Sequence, residues 1–275
     1  MKPLKTSFVR IARLSILMFM LAGCASPGLP QNSTPVPTDT PKPISTNTIT
    51  PRPSFTLRPS ETPNLTATQK VAALRTATAA YFEAWKAETQ KYYDLGYLST
   101  TDGTNRKYVD FMEEWAQLNW YRSWIYEKQA ENFYVSAHFK WSSAYRNADS
   151  SGCGIIFAVQ KNGDKYSVFL DRSRVLFNIY EKSIGYSRPV GITRGTGKVE
   201  FGNPFDQPVE ADFVLIVNNA YVYVLVNQVL VGEYTLSKNK FYKGAFGPAI
   251  LSGTNKDFGT RCEITNFHGW IQRGL

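Results

Sequence analysis

The chain has 275 residues, with 31 basic and 22 acidic side chains, a formal net charge of +9 and 43% hydrophobic residues. This hydrophobic content excludes a chain that is disordered throughout. The two histidines, His138 and His268, argue against a histidine-rich metal site, and without a glycine-rich phosphate loop nucleotide chemistry has no support.

Net charge is unevenly distributed along the chain. Of the +9, +4 lies in residues 1–23, +1 in residues 24–66 and +4 in residues 67–275. A protein that binds nucleic acid carries a concentrated basic patch. Four excess charges spread over residues 67–275 make a weak field, so we expect no nucleic-acid partner.

Residues 1–23 have a basic start and a short apolar stretch at 15–22, which is typical of a signal peptide. The sequence Leu21-Ala22-Gly23-Cys24 then resembles the lipobox of bacterial lipoproteins. The resemblance implies cleavage between Gly23 and Cys24 and lipidation of Cys24. Two or more acyl chains would anchor the exported protein to the outer face of the bacterial cell membrane. The alternative is a chance cysteine behind an ordinary secretory signal.

Residues 24–66 are predicted to form the lipidated cysteine and a disordered, Thr/Pro-rich tether. Ten prolines fall between residues 25 and 66, and threonine and serine fill most of the gaps. Such a segment buries too little apolar surface to offset the entropy of ordering it. Extended as polyproline II, at about 3.1 Å per residue, it would reach on the order of 100 Å. The composition also suits O-glycosylated stalks, and glycosylation stays open.

Residues 67–96 are predicted to be one long α-helix with its C-terminal glycine. Thr66 and Gln69 resemble a capping box, alanine is dense, and Gly96 follows as the left-handed terminator. An apolar stripe recurs at Val71, Leu74, Tyr81, Trp85, Tyr92 and Leu95. The stripe either forms a coiled-coil dimer or packs on the following domain, and interruptions at Thr78 and Glu88 favour packing.

After Gly96 the apolar period changes to two, which predicts a single β domain at 97–275. Candidate strands are Phe133–Trp141, Gly154–Gln160, Tyr166–Asp171, Val175–Tyr180, Ala211–Asn218, Tyr221–Val226, Gln228–Tyr234, Gly244–Leu251 and Arg261–Phe267. Turn residues separate them, as a β-sandwich or barrel requires. Residues 97–132 are expected to be strands or loops that close over the core.

Three segments of this domain resemble a known superfamily. They are Cys153–Phe157 followed by Lys165–Leu170, the stretch Val222–Val231 with its Asn227-Gln228 hairpin, and Lys243–Ala249 followed by Cys262–Phe267. Together they are similar to the concanavalin A-like jelly-roll proteins, including laminin G-like modules, family 16 glycosidases and 3-keto-disaccharide hydrolase domains. In that group the hairpin usually has glycine where Gln228 stands. The resemblance implies a mainly β fold, a jelly-roll β-sandwich preceded by the helix and the tether.

Acidic residues do not form the pair that glycoside hydrolysis needs. In the family 16 enzymes the carboxylates alternate along one strand, and the nearest match here is Glu210-Ala211-Asp212, with Val214 where a further Glu would stand. Glu113 and Glu114 are adjacent and point to opposite faces of a strand. We therefore assign no catalytic residue and expect no hydrolysis of common β-glucans.

Aromatic residues are the more suggestive feature, because Trp115, Trp120, Tyr121, Trp124 and Tyr126 crowd into twelve positions. Trp115, Trp120 and Trp124 are candidate ligand-binding residues, since sugar-binding sandwiches place aromatic faces against sugar rings. The alternative is packing in the core and at its rim.

Two cysteines, Cys153 and Cys262, remain once Cys24 carries lipid, and export permits a disulfide between them. They form a candidate cross-strand or strand-end bridge, with buried free thiols as the alternative. No cofactor or metal site is assigned, and calcium stays open.

These features predict a surface lipoprotein that displays a non-catalytic domain for binding glycans or another surface or cell-wall component. Two alternatives remain. One is an enzyme of the glycoside hydrolase or 3-keto-disaccharide hydrolase kind. The other is a structural or assembly protein of the cell envelope that oligomerises through its helix.

Overall fold

Strands of alternating apolar and polar residues follow one long helix, as the sequence predicts. The computed structural model describes residues 65–145, 150–202, 207–237 and 241–274. All of these belong to one compact unit, which includes the helix. The predicted signal peptide, the Cys24 lipidation site and nearly all of the tether lie outside the described residues.

Helix α1 runs from Leu65 to Asp94. Thr66, predicted to cap the helix, therefore lies inside it. Gly96 has a φ of +76°, and the backbone N–H of Tyr97 donates to the Tyr92 carbonyl at 2.9 Å, which ends the helix at the predicted glycine. Within the described part of the chain, no helix has both the length and the apolarity to cross a membrane.

Two antiparallel sheets contain the strands of the described residues. One sheet has the order β1-β15-β5-β11-β12-β13-β10, with β2 also paired to β15. Its strands are β1 Gly103–Lys107, β2 Phe111–Trp115, β5 Phe133–Ser143, β10 Ile192–Gly195, β11 Val209–Asn218, β12 Tyr221–Val226, β13 Val229–Thr235 and β15 Thr260–Gln272.

The second sheet has the order β3-β14-β6-β7-β8-β9, with β4 also paired to β14. Its strands are β3 Trp120–Ser123, β4 Glu127–Ala130, β6 Gly152–Val159, β7 Lys165–Leu170, β8 Val175–Glu181, β9 Tyr186–Pro189 and β14 Gly244–Ser252. We call the two sheets the eight-stranded and the seven-stranded sheet. They form the mainly β jelly-roll sandwich that the sequence predicts.

The core lies between the two sheets and follows the period of two along each strand. Ala211, Phe213 and Leu215 of β11 face inward, and Val168 and Leu170 of β7 meet them from the other sheet. The rings of Phe139 and Phe213 stack on neighbouring strands with centroids 4.5 Å apart. Alternate residues of each strand therefore point outward, and each sheet has an outer face.

A disulfide joins Cys153 of β6 to Cys262 of β15, with the Cα atoms 5.4 Å apart. The two strands belong to different sheets, so the bridge ties the sandwich together across its core. Both cysteines are fully buried. Because the closed loop spans 109 residues, the chain-entropy model gives a contribution of about 5 kcal/mol.

The second half of α1 and the following loop cover the outer face of the eight-stranded sheet. Tyr92 and Leu98 are buried there against Tyr134 of β5 and Trp270 of β15. The Tyr92 and Tyr134 rings meet edge to face at 5.0 Å. This part of the helix stripe therefore packs on the domain, as one of the two interpretations of the sequence predicts.

The hairpin between β12 and β13 also contacts the helix. Asn227 and Gln228 both adopt positive φ, +49° and +68°, which is the conformation of a tight two-residue turn. The Gln228 side-chain oxygen accepts a hydrogen bond from Lys91 Nζ at 2.7 Å. A glycine at this position would lack that contact with α1.

A polar cluster lies under the helix beside this apolar contact. His268 Nε2 is 2.7 Å from Glu88 Oε2, and its Nδ1 is 2.7 Å from the Asn266 carbonyl oxygen. The two ring nitrogens of His268 thus each lie beside an oxygen atom. Tyr92 donates its hydroxyl to the other Glu88 oxygen at 2.8 Å, and Trp85 stacks on the His268 ring at 5.1 Å.

The first half of α1 makes much less contact with the sandwich. Val71, Leu74, Tyr81 and Phe82 are between 43% and 67% exposed. The Tyr81 ring lies 5.9 Å from Lys107 Nζ of β1. The apolar stripe predicted along the helix is thus open in its first half, half-buried at Trp85, buried at Tyr92 and exposed again at Leu95.

We expect the Glu88–His268 pair to make folding depend on pH. Burial raises the pKa of Glu88, but the hydrogen bond and charge of His268, with the Tyr92 and Ser136 hydroxyls, outweigh it and hold this pKa below 4.5. The ionised Glu88 carboxylate therefore makes its full contribution to stability above pH 4.5, and this contribution is lost as the pH falls through the lowered pKa.

Glu88→Gln should lower the free energy of unfolding by about 2 kcal/mol at neutral pH, because a charged hydrogen-bond acceptor is removed. It should also flatten the acid limb of the stability curve. Urea unfolding at several pH values measures both effects. Glu83→Gln is the matched control, since Glu83 pairs only with Lys86 on the exposed side of α1. Equal acid limbs for the two variants would contradict the prediction.

Candidate functional site

The outer face of the seven-stranded sheet contains a groove of about 780 Å³. Among the described residues, no helix covers this face. Outward residues of β3, β7, β8 and β14 line the groove, together with the β6–β7 and β8–β9 turns. The groove therefore lies on the opposite side of the sandwich from α1.

The floor of the groove is apolar. Phe169, Leu251 and Ile156 form a buried cluster with Tyr121 and Leu176 packed against it. The Phe169 ring can lie over β6 because position 154 is glycine, where a Cβ would come within 2.3 Å of that ring. The glycine thus leaves the space that the Phe169 ring occupies in the apolar floor.

Polar side chains also line the groove, at outward-facing positions of β7 and β8. Lys165 and Ser167 share the outward face of β7 with Phe169, and Asn178 and Tyr180 stand on β8. Lys165 pairs with Tyr180 and Ser167 with Asn178 in the strand register. Apolar surface with a few positioned polar groups is the composition of small-molecule and sugar sites.

Two exposed aromatic residues line opposite ends of the groove. Trp120 lies on β3 and is 58% exposed, and Tyr186 lies on β9 and is 61% exposed. These two strands are the ends of the path through the sheet. Six strands at a spacing of about 4.8 Å separate the ends by about 24 Å. The groove therefore suits an extended ligand.

The Tyr121 ring in the groove is electrically neutral over a wide range of pH. Burial, with a smaller effect of the neighbouring Tyr180, raises the pKa of Tyr121 to about 12. The Tyr121 and Phe169 rings lie 5.4 Å apart. At physiological pH these side chains offer a hydroxyl and aromatic faces and no negative charge.

Only one of the three tryptophans proposed from the sequence lines this groove. Trp120 does, whereas Trp115 and Trp124 are half-buried and pack against the main core. Trp124 meets the Phe111 ring edge to face at 4.8 Å. The Arg122 guanidinium lies over both tryptophan rings, 5.6 Å from the centre of Trp115 and 4.9 Å from that of Trp124. Their faces are thus occupied within the protein.

Sequence reasoning did not identify Lys165, Asn178 and Tyr180 as groove residues. They alternate with core residues along β7 and β8, so the only signal was the period of two. That signal gives the face of a strand but does not tell which outer face remains open.

The acidic residues considered for catalysis lie elsewhere and have partners. Glu210 pairs with Lys140 Nζ at 2.7 Å and Asp212 with His138 Nδ1 at 3.0 Å, on the outer face of the eight-stranded sheet. Glu114 binds Arg261 at 2.6 Å. None of the described residues that line the groove is Asp or Glu. Across the described ranges, no three His, Cys, Asp or Glu side chains come together as a metal site.

A second depression, of about 570 Å³, lies near the ends of β4, β6 and β14. Long charged side chains dominate its wall, including Lys128, Lys161 and Lys243, and Lys243 Nζ is 3.6 Å from a Glu131 oxygen. It lacks the buried apolar floor of the groove. We therefore take the groove as the candidate site.

No protein-family model and no curated protein matches the chain. Among solved structures it is similar to the carbohydrate-binding module CBM66 from Bacillus subtilis, at 12% identity and a TM-score of 0.40, covering 60% of this chain and 92% of that one. A protein of unknown function with a galectin-like fold from Bacillus subtilis matches at 13% identity and a TM-score of 0.37, covering 60% and 90%.

A fructosyltransferase from A. japonicus matches at 14% identity and a TM-score of 0.37 over 63% of this chain. The chain spans only 26% of that enzyme's length. We draw no functional conclusion from likenesses at this level.

Proposed function

We propose that the protein is a cell-surface lipoprotein whose sandwich binds an extended saccharide in the groove of the seven-stranded sheet. The observation that carries the proposal is the composition of the groove: an apolar floor, exposed Trp120 and Tyr186 at its ends, and hydroxyl and amide groups between them. Aromatic faces suit the C–H faces of sugar rings, and the half-buried Asn178 amide and Tyr180 hydroxyl suit their hydroxyl groups.

Binding without hydrolysis is the form of this function that the groove supports best. Glycoside hydrolysis ordinarily needs two carboxyl groups about 5 Å apart in retaining enzymes and about 6.5–9.5 Å apart in inverting ones. The described lining supplies no carboxylate, and Glu210 and Asp212 are engaged on the other side of the sandwich. The proposed role is therefore retention of a glycan or of cell-wall material at the surface.

A second candidate function is assembly through the first half of α1. Val71, Leu74 and Tyr81 follow the heptad spacing and are exposed, whereas Tyr92 of the later stripe is buried against the sheet. A helix seam of this kind fits a second copy of the same helix.

Replacing Trp120 by Ala should weaken glycan binding without unfolding the domain. We expect affinity for the bound polysaccharide to fall at least about tenfold, the effect of losing about 1.4 kcal/mol. The free energy of unfolding should change by about 0.5 kcal/mol or less, because most of the ring is exposed. Affinity electrophoresis and calorimetry with a panel of neutral and acidic polysaccharides measure binding, and urea unfolding measures stability.

Trp124→Ala is the matched control for this experiment. It should lower the free energy of unfolding by about 3 kcal/mol, since the ring packs on Phe111 and the core. The folded variant should bind with unchanged affinity. If no polysaccharide of the panel binds to the wild-type chain, glycan binding is wrong. Release of reducing ends would instead favour the enzyme alternative.

Replacing Cys24 by Ala should abolish lipid attachment and membrane retention in the bacterial host. The lipobox supplies the only sulfur that the proposed lipidation can use, and acyl chains give the anchoring energy. Metabolic labelling with a fatty acid and membrane fractionation check the prediction. Mature-length Cys24→Ala protein that still sediments with membranes would contradict the lipoprotein proposal.

Leu74→Cys should form a disulfide-linked dimer in the exported chain if the helix mediates assembly. Leu74 lies on the exposed stripe, and a parallel pair of helices would place the two introduced thiols face to face. Arg75→Cys, one position off the stripe, is the control. A non-reducing gel distinguishes them, and equal dimer bands, or none for Leu74→Cys, would remove the assembly function.

A further inference from the structure

The charges that line the groove are of one sign. Lys165 and Lys182 contribute positive charge, and no described lining residue is acidic. The outer face of the eight-stranded sheet differs, because there Lys140 is balanced by Glu210 and His138 by Asp212. The groove is thus the face on which positive charge has no compensating carboxylate.

Lys165 is held over the floor of the groove by two aromatic rings. Its Nζ lies 5.2 Å from the centre of the Tyr121 ring and 5.6 Å from that of Tyr180. Tyr121 comes from β3 and Tyr180 from β8, so the ammonium is placed between the two walls. Cation–π contacts of this kind orient a lysine without neutralising it.

Some lysines of the described chain are held in ion pairs, and Lys165 is not among them. Lys86, Lys140 and Lys243 each contact a glutamate. No ion pair of the described residues includes Lys165, and burial without a carboxylate partner lowers the pKa of its ammonium group. A bound anion beside Lys165 would favour the charged form of its ammonium group, which burial disfavours.

Asp164, one residue before Lys165, is held by hydrogen bonds from the neighbouring turns. Asp164 accepts a hydrogen bond from Asn162 Nδ2 at 2.9 Å and from the Lys182 backbone N–H at 2.7 Å. The same contact holds the β8–β9 turn beside the β6–β7 turn, which brings Lys182 to the groove. Glu181, one residue earlier, is buried and pairs with Arg188.

We propose that the groove selects glycans that carry negative charge, as carboxylate, sulfate or phosphate groups, with Lys165 as the main anion contact and Lys182 as the second. This inference rests on the proposed glycan-binding function and names its ligand class. The aromatic ends of the groove contact the sugar rings, and the ammonium groups contact their anionic substituents. Charge-assisted hydrogen bonds supply the discrimination against neutral polymers.

The test uses pairs of polymers that share a backbone and differ in charge. Suitable pairs are oligogalacturonate and its methyl ester, dextran sulfate and dextran, and phosphomannan and mannan. Binding to the full chain in detergent at physiological salt is measured by calorimetry. We expect the charged member of at least one pair to bind at least about tenfold more tightly than its neutral partner. The pair that responds identifies the anionic group.

Variants decide whether the groove causes this preference. Lys165→Gln should reduce the preference at least about fivefold, whereas Lys165→Arg, which keeps the charge, should retain most of it. Lys70→Gln removes an equal charge from exposed helix surface and should change nothing. Thermal unfolding checks that each variant is folded, and Lys182→Gln replaces Lys165→Gln if the latter is not.

The outcomes separate this inference from the proposed function. Equal binding of charged and neutral members overturns charge selection and leaves glycan binding standing. An equal loss in Lys70→Gln and Lys165→Gln shows a general attraction to a basic protein and also overturns the inference. If the wild-type chain binds none of these polymers and none of the earlier panel, the proposed function itself is overturned.

Discussion

Docking of α1 through Tyr92 and Glu88 determines which surface of the sandwich meets solvent. Two packed sheets bury their inner faces against each other and leave two outer faces. On the eight-stranded sheet, Tyr134, Trp270 and neighbouring apolar residues would form an exposed patch if the helix and Leu98 did not cover them. Exposed patches of that kind are sites of association. The helix covers the apolar patch on the eight-stranded sheet, and the groove on the seven-stranded sheet stays open.

The two outer faces consequently have different chemistry. Beyond the edge of the helix, the eight-stranded sheet is lined with paired charges, which are well solvated and have little capacity to recognise a partner. The seven-stranded sheet combines a nearly flat apolar floor with aromatic ends and an unpaired ammonium group. The open groove thus lies on one side of the molecule, and the opposite side carries the helix.

Period-two patterns predicted the long central strands because their inner faces are uniformly apolar. Short strands such as β1 and β10 lack that pattern, since they pair through the backbone and expose most side chains. The predicted end of the last strand at Phe267 was wrong because a bulge at Asn266, with a φ of +52°, breaks the alternation and β15 continues to Gln272. The groove could not be predicted because the open face depends on contacts between distant segments, above all the docking of α1.

The position of β15 has a consequence for the order in which the fold can form. This last strand lies one position in from the edge of the eight-stranded sheet, between β5 and the edge strands β1 and β2, and it also carries Cys262. Strands β1 and β2 therefore have no partner strand until the final residues are present. Pairing over such long separations is slow. The sandwich can therefore be completed, and Cys153 can meet Cys262, only once the C-terminal residues are available.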